Sequence, residues 1–259
     1  MIPLCPDSKK IDEAIKQLKQ ADLELEDQGD ISDYIGINFT HRNDGSIIMS
    51  QPQLIDQIVN DLQLKPNAHL PSIPALASRI LQREEKAKPC INTKFHYRSI
   101  VGKLNFLEKG TIPDIAYATH QVARFCEDPR DAHVKAVVHL GKYLKHTRSE
   151  GIILKPDKLK SIEVYADADF AGNWNINTAE HDASTAKSRS GYIVLYAGCP
   201  IIWSSKLQTQ VALSTTEAEY VSLSQALREV VPVMNLIKEL KRKKNYHYIF
   251  STKGLLQGF

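Results

Sequence analysis

The residues best suited to chemistry lie in two stretches, Tyr165–Gly172 (YADADFAG) and, some fifty residues further on, Ser214–Tyr220 (STTEAEY). Asp167 and Asp169 are two positions apart, so on a strand they share one face. Glu219 sits where an apolar-periodic segment begins, which reads as the first turns of a helix. Carboxylates delivered by a strand and a helix are hard oxygen donors for a divalent cation. Two such cations about 3.5–4 Å apart can hold the attacking and leaving oxygens of a displacement at phosphorus. Glu217 has a simpler role: it follows Ser214 by three positions, the spacing of a capping box.

These acids need a sheet and a helix to hold them. SIEVYADA, SGYIVLYAG and PIIWSS read as strands, with GIILK before them and a turn at Gly198-Cys199-Pro200. A long helix is predicted from Ser214, with Leu223, Leu227, Val230, Met234 and Ile237 as its apolar stripe and Pro232 as a kink or break. Its basic end, Lys238–Lys244, suits the helix dipole. Tyr246–Phe250 (YHYIF) reads as a last short strand.

Upstream, the pattern changes twice. A helix is predicted over 8–20, with Ile11, Ile15 and Leu18 on one face, then a strand over Asp33–Phe39. Arg42–Gly45 (RNDG) is a hairpin turn signal and Ser46–Ser50 the returning strand, followed by a helix over 52–62. Residues 65–93, with Pro66, Pro71, Pro74 and Pro89, read as a linker or irregular cover. Three helices are then expected: Phe95–Glu108, Ile112–Phe125 and about Asp131 to Lys145, joined by short loops and packed antiparallel.

The bulk properties exclude more than they indicate. The chain has 259 residues, 42% hydrophobic and 24% charged, enough for one large or two small cores. Its net charge of +3 and pI near 8.5 are compatible with a polyanion without pointing to one. Cys5, Cys90, Cys126 and Cys199 form no CxxC pair, so neither a zinc site nor a disulfide framework is expected. No apolar run reaches the roughly 18 residues of a membrane span, and the N-terminus lacks a signal-peptide pattern. An intracellular protein, cytoplasmic or nuclear, is expected. The histidines are scattered and the basic runs read as solvated helix faces. Trp203 is expected in the core; contact with nucleic acid is the alternative for Trp203 and for Trp174.

YADADFAG followed by SRSGYIVLYAGCPIIWSSKLQTQVALSTTEAEYVSLSQA closely resembles the ribonuclease H domain of copia-type LTR retrotransposon polyproteins, over a long and almost ungapped stretch. FHYRSIVGKLNFLEKGTIPDIAYATHQVARFCEDPRDAHVKAVVHLGKYLKHT resembles their connecting region, and DYIGINFTHRNDGSIIMSQPQLIDQIV the end of their reverse transcriptase. The resemblance covers about residues 8–245. One local departure is Ile112, where the family commonly has arginine before Pro113.

The resemblance implies an α+β or α/β chain in three parts. These are a reverse transcriptase palm and thumb remnant (1–66), a helical connection (67–150) and a truncated ribonuclease H-like domain (151–259) with a mixed sheet and a long helix. It implies Asp167 and Glu219 as catalytic metal ligands, Asp169 as an auxiliary ligand, magnesium as cofactor and an RNA–DNA hybrid as partner. The polymerase YVDD-like turn is not in the sequence, so no polymerase activity is expected. The family's third acid belongs just after the last strand, where the chain reads FSTKGLLQGF, and its fourth lies further on. With two of four carboxylates, a paired-metal site and hybrid cleavage are not expected. Two alternatives remain. One is a live nuclease completed by a partner chain or by a nonstandard acid such as Asp157 or Asp182. The other is a nucleic-acid-binding module without catalysis.

Overall fold

A computed structural model describes residues 8–20, 31–66, 69–76, 81–83, 95–176, 179–180, 182–240 and 248–252. The chain forms two units, Met1–Ser32 and Asp33–Phe259. The described element of the first is helix α1, Ser8–Gln20, as the sequence predicts, with Ile15 and Leu18 half-buried.

The second unit begins with a small sheet in the order β1-β2-β3-β4: Asp33–Tyr34, Ile37–His41, Ile47–Ser50 and Ile152–Leu154. The predicted continuous strand over Asp33–Phe39 is instead a hairpin. Ile35 (φ 52°) and Gly36 (φ 73°) form a two-residue turn with both central φ angles positive, and Tyr34 pairs with Ile37. At the RNDG turn, Gly45 takes φ 78° and the Asp44 carboxylate accepts from the Ser46 amide and hydroxyl at 3.1 and 2.6 Å. These bonds and Lys155 at 2.9 Å hold the Asp44 carboxyl far below the usual carboxylate range.

Strand β4 is the GIILK segment. It pairs with β3, Ile48 opposite Ile153, rather than with the strands that follow it in sequence. The chain enters β4 through Gly151, where a Cβ would overlap the Met49 carbonyl oxygen. A Gly151→Ala protein must move backbone to fit. It is expected to lose about 1–3 kcal/mol, read as a lower urea midpoint at unchanged slope.

Four helices form the larger core: α2 (Pro52–Asp61), α3 (Tyr97–Gly110), α4 (Ala116–Ala123) and α5 (Asp131–His146). Pro52 occupies the first turn of α2, where its missing N–H costs nothing. The His96 imidazole accepts the Ser99 amide at the start of α3. The predicted helix over Ile112–Phe125 is shorter than expected, because Pro113–Ile115 is a 3-10 turn before α4. Ile55, Ile58, Ile100, Leu104, Leu107, Ile115, Leu140 and Leu144 are all essentially fully buried in this one cluster.

The second sheet has the order β7-β6-β5-β8: Cys199–Leu207, Arg189–Tyr196, Ile162–Asp169 and Tyr248–Thr252. Its first three strands are antiparallel neighbours and β8 runs parallel to β5, so the sheet is mixed. The turn between β6 and β7 is Ala197-Gly198, at φ 53° and 77°, one residue earlier than the Gly-Cys-Pro turn expected. Between β7 and β8 lies α6, Thr215–Leu240. This strand order and helix give the ribonuclease H-like architecture that the sequence resembles.

Helix α6 corrects the sequence reading in two ways. It continues through Pro232, so of the kink or break expected there the break does not occur. Pro232 and Arg228 both lie on the solvent side, so water can satisfy the Arg228 carbonyl that the proline leaves without a donor. The buried line is Ala218, Ser222, Ala226, Val230 and Ile237. Of the expected stripe, Val230 and Ile237 are buried and Met234 packs partly buried against the same cluster, whereas Leu223 and Leu227 line an open groove with Tyr220 and Val231. The last strand is described over Tyr248–Thr252; residues 241–247, which hold most of the basic run and the predicted start of this strand, lie outside the described residues.

The helical core meets the sheet at Trp203 on β7. Its indole N–H donates to the Glu108 carbonyl at 2.8 Å, and its own carbonyl accepts from Lys109 at 3.5 Å. Trp203 is thus half-buried at a seam, while Trp174 is 55% exposed.

Candidate metal centre

Strand β5 alternates buried Ile162, Val164 and Ala166 with exposed Tyr165, Asp167 and Asp169. Asp167 stands opposite Gly191 and Asp169 opposite Arg189 on β6. Parallel strand β8 ends level with Ala166, its Thr252 register partner. The acids therefore sit at the carboxyl ends of two parallel strands, where open α/β sheets bind ligands.

Helix α6 brings the third acid. Ser214 accepts the Glu217 amide at 3.1 Å, and the Glu217 carboxylate accepts the Leu213 amide at 2.7 Å. Glu217 is thereby committed to the helix start, as its spacing predicts, and Glu219 is left to face the sheet.

The Glu219 carboxylate accepts the Ala168 amide and lies within the field of Asp167. Partial burial, and then the Asp167 charge, push its pKa above the usual carboxylate value; the Ala168 bond opposes them. Its Oε2 atom is buried with no hydrogen-bond partner. A half-buried carboxylate held beside a like charge with one orphaned oxygen is under-satisfied, and a hard cation would relieve both defects.

Asp169 is placed differently. Its carboxylate lies over Gly172, where any Cβ would overlap it, and its charge reaches buried Arg189. The following turn, with Ala171 at φ 47° and Trp174 N–H to Ala171 O at 2.8 Å, keeps the strand end compact. Asp167 and Glu219 are thus brought together, while the Asp169 carboxylate lies over Gly172.

The nonstandard acids do not join them. Asp182 accepts the Ser184 amide at 3.0 Å and faces Arg124 at 3.9 Å. Asp157 accepts the Leu159 amide and bonds through its own N–H to Ala197, at the opposite end of β5. Five residues of strand separate Ile162 from Asp167, about 17 Å. Among the described residues, no group of three or more His, Cys, Asp or Glu side chains is arranged to hold a metal ion. Cys126 and Cys199 are free thiols.

Sequence reasoning missed a buried cationic cluster beside this end of the sheet. The Arg189 guanidinium donates to His120 Nδ1 at 3.2 Å and lies 4.9 Å from the Tyr117 ring centre. Burial, and then the charges of Arg189, Arg124, Lys206 and Lys109, lower the His120 pKa to about 4. The only local signal was a lone histidine in a helical segment.

No protein-family model matches the chain, and no solved structure matches it significantly. Curated proteins do. Over 144 residues, 56% of its length, the chain is 39% identical to the "Retrovirus-related Pol polyprotein from transposon RE1" of Arabidopsis thaliana. It is 30% identical over 236 residues, 88% of its length, to the corresponding polyprotein of transposon TNT 1-94 from Nicotiana tabacum. It is also 30% identical over 224 residues to a "Putative transposon Ty5-1 protein" of Saccharomyces cerevisiae, matching 86% of the chain and 69% of that relative. The chain belongs to the copia-type retrotransposon Pol family. Its matched part spans 9% of the RE1 polyprotein and 17% of the TNT 1-94 polyprotein. Both carboxylates of this Pol-family chain lie in its second sheet and the helix packed on it. Among the described residues of this Pol-family chain, no helix is long and apolar enough to cross a membrane.

Proposed function

We propose that this chain is the ribonuclease H-type part of a retrotransposon Pol protein, which binds an RNA–DNA hybrid and holds one divalent cation, magnesium in the family, between Asp167 and Glu219. The observation that carries this reading is the partnerless, buried Glu219 Oε2 beside Asp167. Magnesium typically takes one or two protein carboxylates and completes its shell with water and substrate phosphate. The Asp167–Glu219 donor set fits that pattern for one ion. A bound ion would supply Lewis-acid polarisation of a phosphodiester oxygen. The protein's part is to hold Glu219 in place through the Ala168 amide and to keep Asp169 folded against Gly172.

Asp167 and Glu219 suit one ion rather than the pair that two-metal hydrolysis uses. The 259-residue chain alone is therefore expected to bind hybrid but cleave it poorly. The test is a manganese titration of the wild type and Asp167→Asn, alongside hybrid binding at rising salt. Manganese affinity is expected to fall at least about tenfold in the variant, since even outer-shell losses cost that much. Hybrid affinity should fall steeply with salt. Equal manganese affinity in both proteins would sink the metal reading. Magnesium-dependent cleavage lost in Asp167→Asn would show a complete nuclease instead.

A further inference from the structure

Glu219 lies on the part of α6 with the least apolar grip on the sheet. Further along, Ala226, Val230 and Ile237 share a core with Ile162, Val164 and Val194. Near Glu219, the sheet-facing residues are Ala218 and Ser222, both fully buried and both small. Without a cation the helix must also bring Glu219 beside a like charge.

Polar bonds replace the missing grip. Gln208, just past β7, is 2% exposed. Its Nε2 donates to the Ala218 carbonyl at 2.8 Å and to Ser190 Oγ at 3.1 Å, and its amide donates to the Ser188 carbonyl at 2.8 Å. Ser222 Oγ lies 2.7 Å from the Asp167 carbonyl and 3.3 Å from the Gly191 carbonyl, so its single proton is shared between two paired strands. Four residues of helix separate Ala218 from Ser222, about 6 Å along the axis. The two ties therefore bracket Glu219, and one of them ends on Asp167 itself. Buried bonds of this kind are strong and directional.

We propose that Gln208 and Ser222 are positioning residues for the carboxylate pair: they clamp the second turn of α6 to β5 and β6, so that Glu219 is held beside Asp167 before any cation arrives. This rests on the metal reading for its consequence, but the clamp is measurable without metal.

The test uses Gln208→Met and Ser222→Ala in the full chain. Amide hydrogen exchange is followed at Ala168, whose N–H the Glu219 carboxylate holds, with Val164 and the helical-core amides as references. Either variant is expected to speed exchange at Ala168 about tenfold while the reference amides stay within about twofold. Manganese affinity should fall about 10-fold in parallel, the loss typical of an outer-shell partner. Unchanged Ala168 exchange overturns the clamp, and so does an equal rise at all amides, which would mark a purely structural role. If the wild type shows no Asp167-dependent manganese site, the metal reading fails, and Ala168 exchange still decides the clamp. If Gln208→Met does not fold, Ser222→Ala, which removes one oxygen atom, decides it alone.

Discussion

Acidification from pH 7.5 to pH 4.5 is expected to destabilise the wild-type protein by about 2 kcal/mol more than it destabilises His120→Gln. The cause is the cationic cluster between α4 and the second sheet. Arg189 donates to His120 Nδ1, which selects the neutral tautomer with its proton on Nε2. Burial and four surrounding cations lower the histidine pKa from the ordinary 6.5 to about 4. The unfolded chain then takes up a proton between pH 6.5 and about 4 that the folded chain refuses, so stability is lost as pH falls through this window. Each pK unit is worth about 1.4 kcal/mol, and partial solvent screening brings the total to about 2 kcal/mol. Glu219 works in the opposite sense. Its raised pKa means that the folded chain keeps its proton longer, so its contribution is lost as pH rises above the ordinary carboxylate value of 4.5. Comparing His120→Gln with wild type cancels that background, and urea unfolding at the two pH values reads the difference. Parallel pH dependence in both proteins would mean that His120 titrates as if it were free.

The carboxylate pair was legible because each acid sits in a strong local pattern. Strand alternation puts Asp167 and Asp169 on one face, and the Ser214–Glu217 cap assigns one glutamate and frees the other. What holds the pair together was not legible. Gln208 opens a short polar stretch, QTQ, that has no apolar period, yet it is almost fully buried. Its burial is set by β6 and α6, whose bonding partners Ser190 and Ala218 lie 18 and 10 residues away. The same is true of Arg189 and His120, which are 69 residues apart and meet only when α4 packs on the sheet. Strand β4 shows the limit for backbone pairing. Ile152–Leu154 has strand character in any context, but three residues do not encode which sheet edge they join. The turn at Ile35-Gly36 was missed, and the one at Ala197-Gly198 was shifted by a residue, for a related reason. Each places a residue other than glycine at positive φ, where local preference is overridden by the strand register on either side.

Helix α6 shows how an apolar period can be read correctly yet phased wrongly over its first turns, and two leucines measure the difference. Leu104 on α3 is fully buried in the helical core, so Leu104→Ala removes its packing and leaves a cavity that its neighbours cannot close. A loss of about 3 kcal/mol is expected. Leu223 has the same chemistry and sits in an equally periodic helix, but it lines the open groove beside Tyr220 and Leu227. Leu223→Ala is expected to cost less than about 1 kcal/mol. The two positions differ because the sheet, not the helix, chooses which line faces inward. Strand β5 presents Ala166 toward the helix, in one cluster with Ala226, so the backbones can approach closely only where α6 is also small. Leu223 and Leu227 each follow a buried residue by one position, about 100° round the helix, and are turned away. Thermal unfolding separates the two cases. At about 2–4 °C per kcal/mol for a unit of this size, Leu104→Ala should lower Tm by roughly 6–12 °C and Leu223→Ala by less than about 4 °C. A larger loss at Leu223 than at Leu104 would mean that the groove is closed in solution and that the larger stripe faces a packed surface after all.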